Sequence, residues 1–231
     1  MADGREPARL AAGGAGWYDI SLPLTGATAV VPGDPPFRRS LFLRHGTDGC
    51  EAGAWRLSAH AGTHLDFPAH FFPNGKRAGD YPAAAFVLPA LVVDCGQAWT
   101  LGPDVLSGLE TVPGEAVLFR TRNSAQRLFG GPEFPETFAA ANPALALELV
   151  RRKAGLVGID GLSIESMADP LYPVHNILLG AGLPILEGLV LADVPPGRHT
   201  LSCLPLAVPE AEASPVRAIL FPVCLPGGRA A

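Results

Sequence analysis

His60-Ala61-Gly62-Thr63-His64-Leu65-Asp66-Phe67-Pro68-Ala69-His70 gathers half of the chain's six histidines and one aspartate into eleven residues, with the polar groups four, two and four positions apart. In an extended chain even spacings fall on one face, whereas a helix aligns His60 with His64 and leaves Asp66 off the line. Gly62 and Pro68 both break a continuous helix. The spacing therefore predicts a strand end turning into a loop, its polar side chains converging on one point. Two imidazoles and a carboxylate suit a catalytic zinc or a related divalent ion, with a position left for water. No thiolate lies nearby, which favours a catalytic metal over a structural one.

Around this segment, 231 residues suffice for one hydrophobic core. The formal charge of -5 is dispersed, with no basic stripe for nucleic acid and no polybasic patch for a membrane. A small-molecule substrate is expected. Cys50, Cys95, Cys203 and Cys224 form no Cys-x-x-Cys pair and read as buried thiols in a reducing cytosol. Residues 1–16, rich in Ala and Gly, carry Arg5 and Arg9 but no apolar core of a secretory signal. They read as a disordered lead-in to one domain over 17–231. The apolar stretch from Ile177 to Val194 is interrupted by Pro184, Glu187 and Asp193, which argues against a membrane span. A soluble, cytoplasmic protein is expected.

Twenty-four prolines and 27 glycines exclude long helices over most of the length. Runs of β-branched and other apolar residues predict strands at Tyr18 to Leu22, Arg38 to Arg44, Trp55 to Ala59, Ala90 to Asp94, Ala116 to Arg120 and Leu156 to Asp160. Further strands are predicted at Pro184 to Glu187, His199 to Leu206 and Val216 to Phe221. Helices are predicted from Pro143 to Lys153, where Asn142 can cap, from Pro103 to Leu109, and over a turn or two from His175 through Leu179. The fold class is a β-rich α/β single domain.

The segment from His60 to His70 fits His-x-Gly-Thr/Ala-His-x-Asp-x-Pro-x-His at every fixed position. It is joined by Tyr18-Asp19-Ile20-Ser21, Pro32-Gly33-Asp34, Gly158-Ile159-Asp160 and Ser163-Ile164-Glu165. Pro173-Val174-His175, Leu178-Leu179-Gly180-Ala181-Gly182 and Glu187-Gly188-Leu189 make a second signature more than a hundred residues on. In these motifs the chain resembles the cyclase family of metal-dependent hydrolases, which includes bacterial kynurenine formamidase and isatin hydrolase.

The resemblance implies the swivelling β/β/α (cyclase-like) fold and two divalent ions per subunit, zinc or manganese. His60, His64 and Asp66 would hold one; Asp66, His175 and Glu187 would hold the other, with Asp66 bridging. His70 would be the catalytic acid/base. Composition alone does not single out Glu187. A carboxylate inside Ile185-Leu186-Glu187-Gly188-Leu189-Val190 is nevertheless what a buried ligand looks like, because an unpaired buried charge is costly. The implied reaction is hydrolysis of a non-peptide C-N amide bond by metal-activated water, as in an arylformamidase acting on N-formylkynurenine in tryptophan catabolism. Expulsion of an amine requires a proton, which His70 is placed to deliver. Two other readings stay open: hydrolysis of a cyclic lactam or lactone, and a non-catalytic metal-binding protein of the same fold. Loss of His70 or Glu187 would point to the latter, and both are present. Family members form homodimers or homotetramers in which an N-terminal segment reaches a neighbour's site, so Trp17 or Tyr18 could act in trans.

Trp17, Tyr18, Phe67, Phe71 and Phe72 flank the motifs and either stack on an aryl substrate or pack a core. Val31 stands where kynurenine formamidases carry a tryptophan before Pro-Gly-Asp, and Thr63 where they tend to have alanine; both leave the substrate open. Asn74 and Gly75 follow in a loop that could cover the site. Arg120, Arg122 and Asn123 end a strand, facing either an anionic substrate group or solvent.

Overall fold

The computed structural model describes residues 16–129 and 131–223. The lead-in assigned to residues 1–16 lies outside them except for Gly16, and so does Cys224. The strands are β1 (Tyr18–Asp19), β2 (Arg38–Leu43), β3 (Ala52–Arg56), β4 (His64–Asp66), β5 (Val87–Asp94), β6 (Thr100–Leu101) and β7 (Ala116–Arg120). They continue with β8 (Ala140–Ala141), β9 (Leu156–Ile159), β10 (Ile185–Glu187), β11 (Gly197–Ser202), β12 (Ala213–Pro215) and β13 (Ile219–Phe221). The helices are α1 (His45–Asp48), α2 (Arg122–Gln126), α3 (Pro143–Arg151) and α4 (Pro173–Gly180).

Among the described residues, nine strands form one sheet in the order β1-β13-β11-β5-β7-β9-β10-β4-β12. Its centre, β5 through β10, is parallel; the flanking pairs are antiparallel. The central strands read Val-Leu-Pro-Ala-Leu-Val-Val-Asp, Ala-Val-Leu-Phe-Arg and Leu-Val-Gly-Ile, nearly continuous apolar runs, because both faces of a parallel sheet are covered. Beyond β1 the chain bridges from Ser21 to Leu189, while Val190 N–H donates to Ile20 O. The sheet is thus curled, its first edge meeting the segment that follows β10.

Strand alternation sorts the core into two layers. Ala90, Val92, Leu118, Leu156 and Leu186 point inside the curl with Leu65, Phe67 and Phe86. Leu91, Val93, Val117, Phe119, Val157 and Ile185 point outward, under Leu145 and Leu149 of α3 and Val174 and Leu178 of α4. Gly158 faces the inner layer, where a Cβ would lie 2.6 Å from Leu118 Cδ2. Asn142 caps α3, its side chain accepting from Leu145 N–H at 2.9 Å, and Pro143 takes the first turn. Burial of Leu145 and Leu149 stabilises this docking by ~1.5–3 kcal/mol each.

Several boundaries differ from expectation. Tyr18–Asp19 alone pairs as a strand, since the chain then turns from β13 toward β10. Of the stretch from Val216 to Phe221 only Ile219–Phe221 forms a strand, β13, paired with β11 and β1; a separate strand just before it, β12, pairs with β4. Pro103–Leu106 is a short 3-10 turn rather than a longer helix. Cys50 is exposed rather than buried; Cys203 is buried and Cys95 half-buried. Among the described residues, no helix is long and apolar enough to cross a membrane.

Candidate metal centre

In β4 the pleat sends Leu65 into the inner core and turns His64 and Asp66 to the opposite face. The antiparallel register sets Glu187 of β10 opposite His64, and Ile185 opposite Asp66. His60 precedes β4 across a turn that needs Gly62, whose φ is +65° and whose added Cβ would lie 2.7 Å from Leu24 Cδ2. His70 closes a single 3-10 turn opened by Pro68, and His175 lies in the first turn of α4.

These side chains converge on Asp66. Its Oδ1 lies 2.8 Å from His60 Nδ1 and 3.5 Å from His64 Nε2; its Oδ2 lies 4.0 Å from His70 Nε2 and 3.9 Å from His175 Nε2. Glu187 Oε2 is 3.3 Å from His64 Nε2, and Oε1 is 3.4 Å from His175 Nε2. Ile164 N–H donates to Glu187 Oε1 at 2.6 Å. His64 Nδ1 lies 2.9 Å from Gly62 O, and His175 Nδ1 lies 2.9 Å from Glu165 Oε2. A proton on each Nδ1 leaves the Nε2 lone pair facing inward, the tautomer a metal ligand requires.

The electrostatics match an ion site. Burial opposes charge on His64, yet Glu187 and Asp66 prevail and raise its pKa to about 9. Burial likewise opposes charge on His175, and Glu165 and Glu187 raise it to about 10. Burial works against ionising Asp66 and Glu187 too, but the surrounding imidazoles hold both carboxyls below their usual range. Asp66 Oδ1 is buried without a hydrogen bond of acceptable geometry. A buried carboxylate oxygen so placed, ringed by imidazoles, fits a divalent cation. His60, Asp66 and His70 present ligand atoms within 4.8 Å of one another, as do His64, Asp66 and Glu187. Asp66 is common to both groups. The sequence expectation grouped His60 with His64 and kept His70 apart; the structure brings His70 as close to Asp66 as it brings His175.

A cleft of about 270 Å³ opens over this cluster, walled by Val31, Asp34, Phe71, Leu162, Met167 and Tyr172. Phe71 stacks on His175 at 5.1 Å, and Tyr172 meets Phe71 edge-on at 5.7 Å. Of the aromatics named from sequence, only Phe71 lines the cleft. Phe67 packs with Tyr81 and Phe86 because it alternates with Asp66 along the chain. Phe72 turns to the outer core layer. Trp17 stacks on Phe221, and Tyr18 joins the inner layer beside His199. Asn74 and Gly75 border a different depression, Gly75 against Pro68. Arg120 pairs with Asp94, Arg122 covers Trp99, and the Asn123 side chain holds Ala139; none lines the cleft.

Sequence reasoning assigned no role to Asp34, Ser163, Glu165, Met167 or Tyr172. Asp34 accepts from Ser58 Oγ at 2.7 Å, and Ser58 Oγ accepts from His60 N–H at 3.2 Å. Asp34, Ser163 and Glu165 belong to the motifs quoted above, a signal that carried no role by itself. Tyr172 takes a left-handed conformation, φ 47°, rarely adopted by a residue with a side chain and not legible from residue type.

Comparison with known proteins places this geometry. The Cyclase family model matches residues 18–166. A kynurenine formamidase of Salinibacter ruber is 37% identical over 205 residues, covering 87% of this chain and 95% of its own. A solved structure described as a predicted metal-dependent hydrolase from Bacillus stearothermophilus is 30% identical with a TM-score of 0.76, covering 89% of this chain and 97% of that one. Isatin hydrolase A from Labrenzia aggregata, bound to benzyl benzoate, is 25% identical with a TM-score of 0.78, covering 89% and 93%.

Proposed function

The chain belongs to the Cyclase family, and on that premise we propose that it acts on N-formylkynurenine or a related aryl formamide. It is a metal-dependent hydrolase of non-peptide C-N bonds, arylformamidase-like, with the curled-sheet α/β fold of its relatives. The observation that carries this reading is the convergence of four imidazoles on the buried Asp66 carboxylate, His60 and His64 at Oδ1 and His70 and His175 at Oδ2, with the Glu187 carboxylate against His64 and His175.

His60, His64, Asp66, His175 and Glu187 would hold two divalent ions, zinc or manganese. Such ions lower the pKa of water and polarise a carbonyl oxygen. The protein's own groups do the rest. Gly62 O and Glu165 orient two imidazoles. Phe71, Leu162 and Met167 offer an apolar wall for an aryl ring. Burial lowers the pKa of His70; Asp66 opposes that effect, and His60 and His175 add to it. A neutral His70 imidazole near pH 7 can take a proton from the attacking water and return it to the departing nitrogen. With this return the amine leaves as a neutral group, and the acid product, formate in the case of a formamide, remains.

The isatin hydrolase likeness favours a second reading, in which the same groups open a cyclic lactam. A homodimer or homotetramer in the cytoplasm, with Trp17 or Tyr18 acting at a neighbour's site, completes the proposal. Hydrolysis assays on N-formylkynurenine, formanilide, isatin and simple lactones decide between the substrates. Faster turnover of the formamides supports the first reading, and turnover of isatin alone overturns it.

A further inference from the structure

The geometry points to Glu165 as a positioning residue for the metal centre: it fixes the tautomer and angle of His175 while capping the helix that carries it. Helix α4 begins without the usual means of satisfying its first N–H groups. Tyr172 at the N-cap offers no side-chain hydrogen bond, and Pro173 has no N–H. The next two donors, Val174 N–H and His175 N–H, both go to Glu165, at 2.8 Å to Oε1 and 3.2 Å to Oε2. The same Oε2 lies 2.9 Å from His175 Nδ1. One buried carboxylate thus holds the backbone and the ring of a single residue, and that ring presents Nε2 to Glu187 and Asp66.

Three donors around one carboxylate leave His175 little freedom. In the neutral ring the carboxylate keeps the proton on Nδ1, so the lone pair falls on Nε2, and it makes the imidazole a more basic ligand. It reaches the helix from eight residues before the start of α4, which explains how a residue outside the ligand set can govern ligand geometry. Tyr172, forced into a left-handed conformation at the same junction, marks where the chain bends to bring helix and carboxylate together.

This assignment rests on the metal centre proposed above, and zinc binding to the purified full chain tests both by competition with a chromophoric chelator. E165Q cannot serve all three donors, because one of its two termini is itself a donor. Its zinc affinity is expected to fall by about 10- to 100-fold. In an H175A background the same substitution is expected to cause no further loss. Equal losses in both backgrounds, or wild-type affinity in E165Q, would overturn the assignment. E165D keeps both acceptor oxygens on a shorter arm and is expected to bind zinc between wild type and E165Q; affinity at or below that of E165Q counts against the proposal even where E165Q folds poorly. A wild-type chain that takes up no zinc or manganese overturns the metal centre itself.

Discussion

Glu187 faces His64 across the antiparallel pairing of β10 with β4, its Oε2 3.3 Å from the imidazole Nε2. This register joins two sequence signatures more than a hundred residues apart into one buried cluster. A one-residue slip would turn Glu187 into the inner core layer and Leu186 onto the site.

Replacing Glu187 by alanine removes a proposed ligand and also leaves the Ile164 N–H without its acceptor. Metal affinity and turnover should each fall by at least about a hundredfold, since losing a group that merely hydrogen-bonds a ligand can cost that much. Metal content after dialysis, read beside activity, checks this.

His70→Ala should keep its metal and lose about 10²- to 10⁴-fold in turnover, the range for a general acid/base. His70 lies 4.0 Å from Asp66 Oδ2, close enough to be a ligand instead. Metal lost along with activity would assign it to coordination, and full activity would deny it either role.

Ion-free protein should show a stability that declines with rising pH. His64 and His175 have pKa values raised from 6.5 to about 9 and about 10. Raised values favour the folded state fully below the unfolded value, and the benefit is lost as pH climbs through the folded ones. Thermal midpoints of chelator-treated protein should therefore fall between pH 6.5 and 10. Metal uptake at pH 7 should release about two protons, measurable by calorimetry in buffers of different ionisation enthalpy.

Gly188→Ala should destabilise the fold by about 2–4 kcal/mol, combining a left-handed conformation with overpacking. Gly188 has φ +70°, and an added Cβ would sit 2.3 Å from Gly62 O. Denaturant unfolding reads the loss directly.

The alternation His64-Leu65-Asp66 and the apolar runs of β5, β7 and β9 were legible because local period and burial agree. Glu187 was legible only by resemblance, since its role depends on a strand pairing that residue type does not encode. For the aromatics the sequence left stacking and core packing open: Phe67 and Phe72 are near the proposed ligands along the chain, but the pleat and the turn direct them to the two core layers. Tyr172 and Glu165 were not assigned because their importance arises at a helix start that tertiary structure creates.

The central claim is that this cluster makes the chain a metal-dependent hydrolase. Stripping the protein with a chelator and titrating zinc or manganese back while following formate release from an aryl formamide tests it most directly. The account predicts loss of activity on stripping and recovery in proportion to metal restored, up to two ions per chain. Undiminished hydrolysis by protein shown to be metal-free would contradict it.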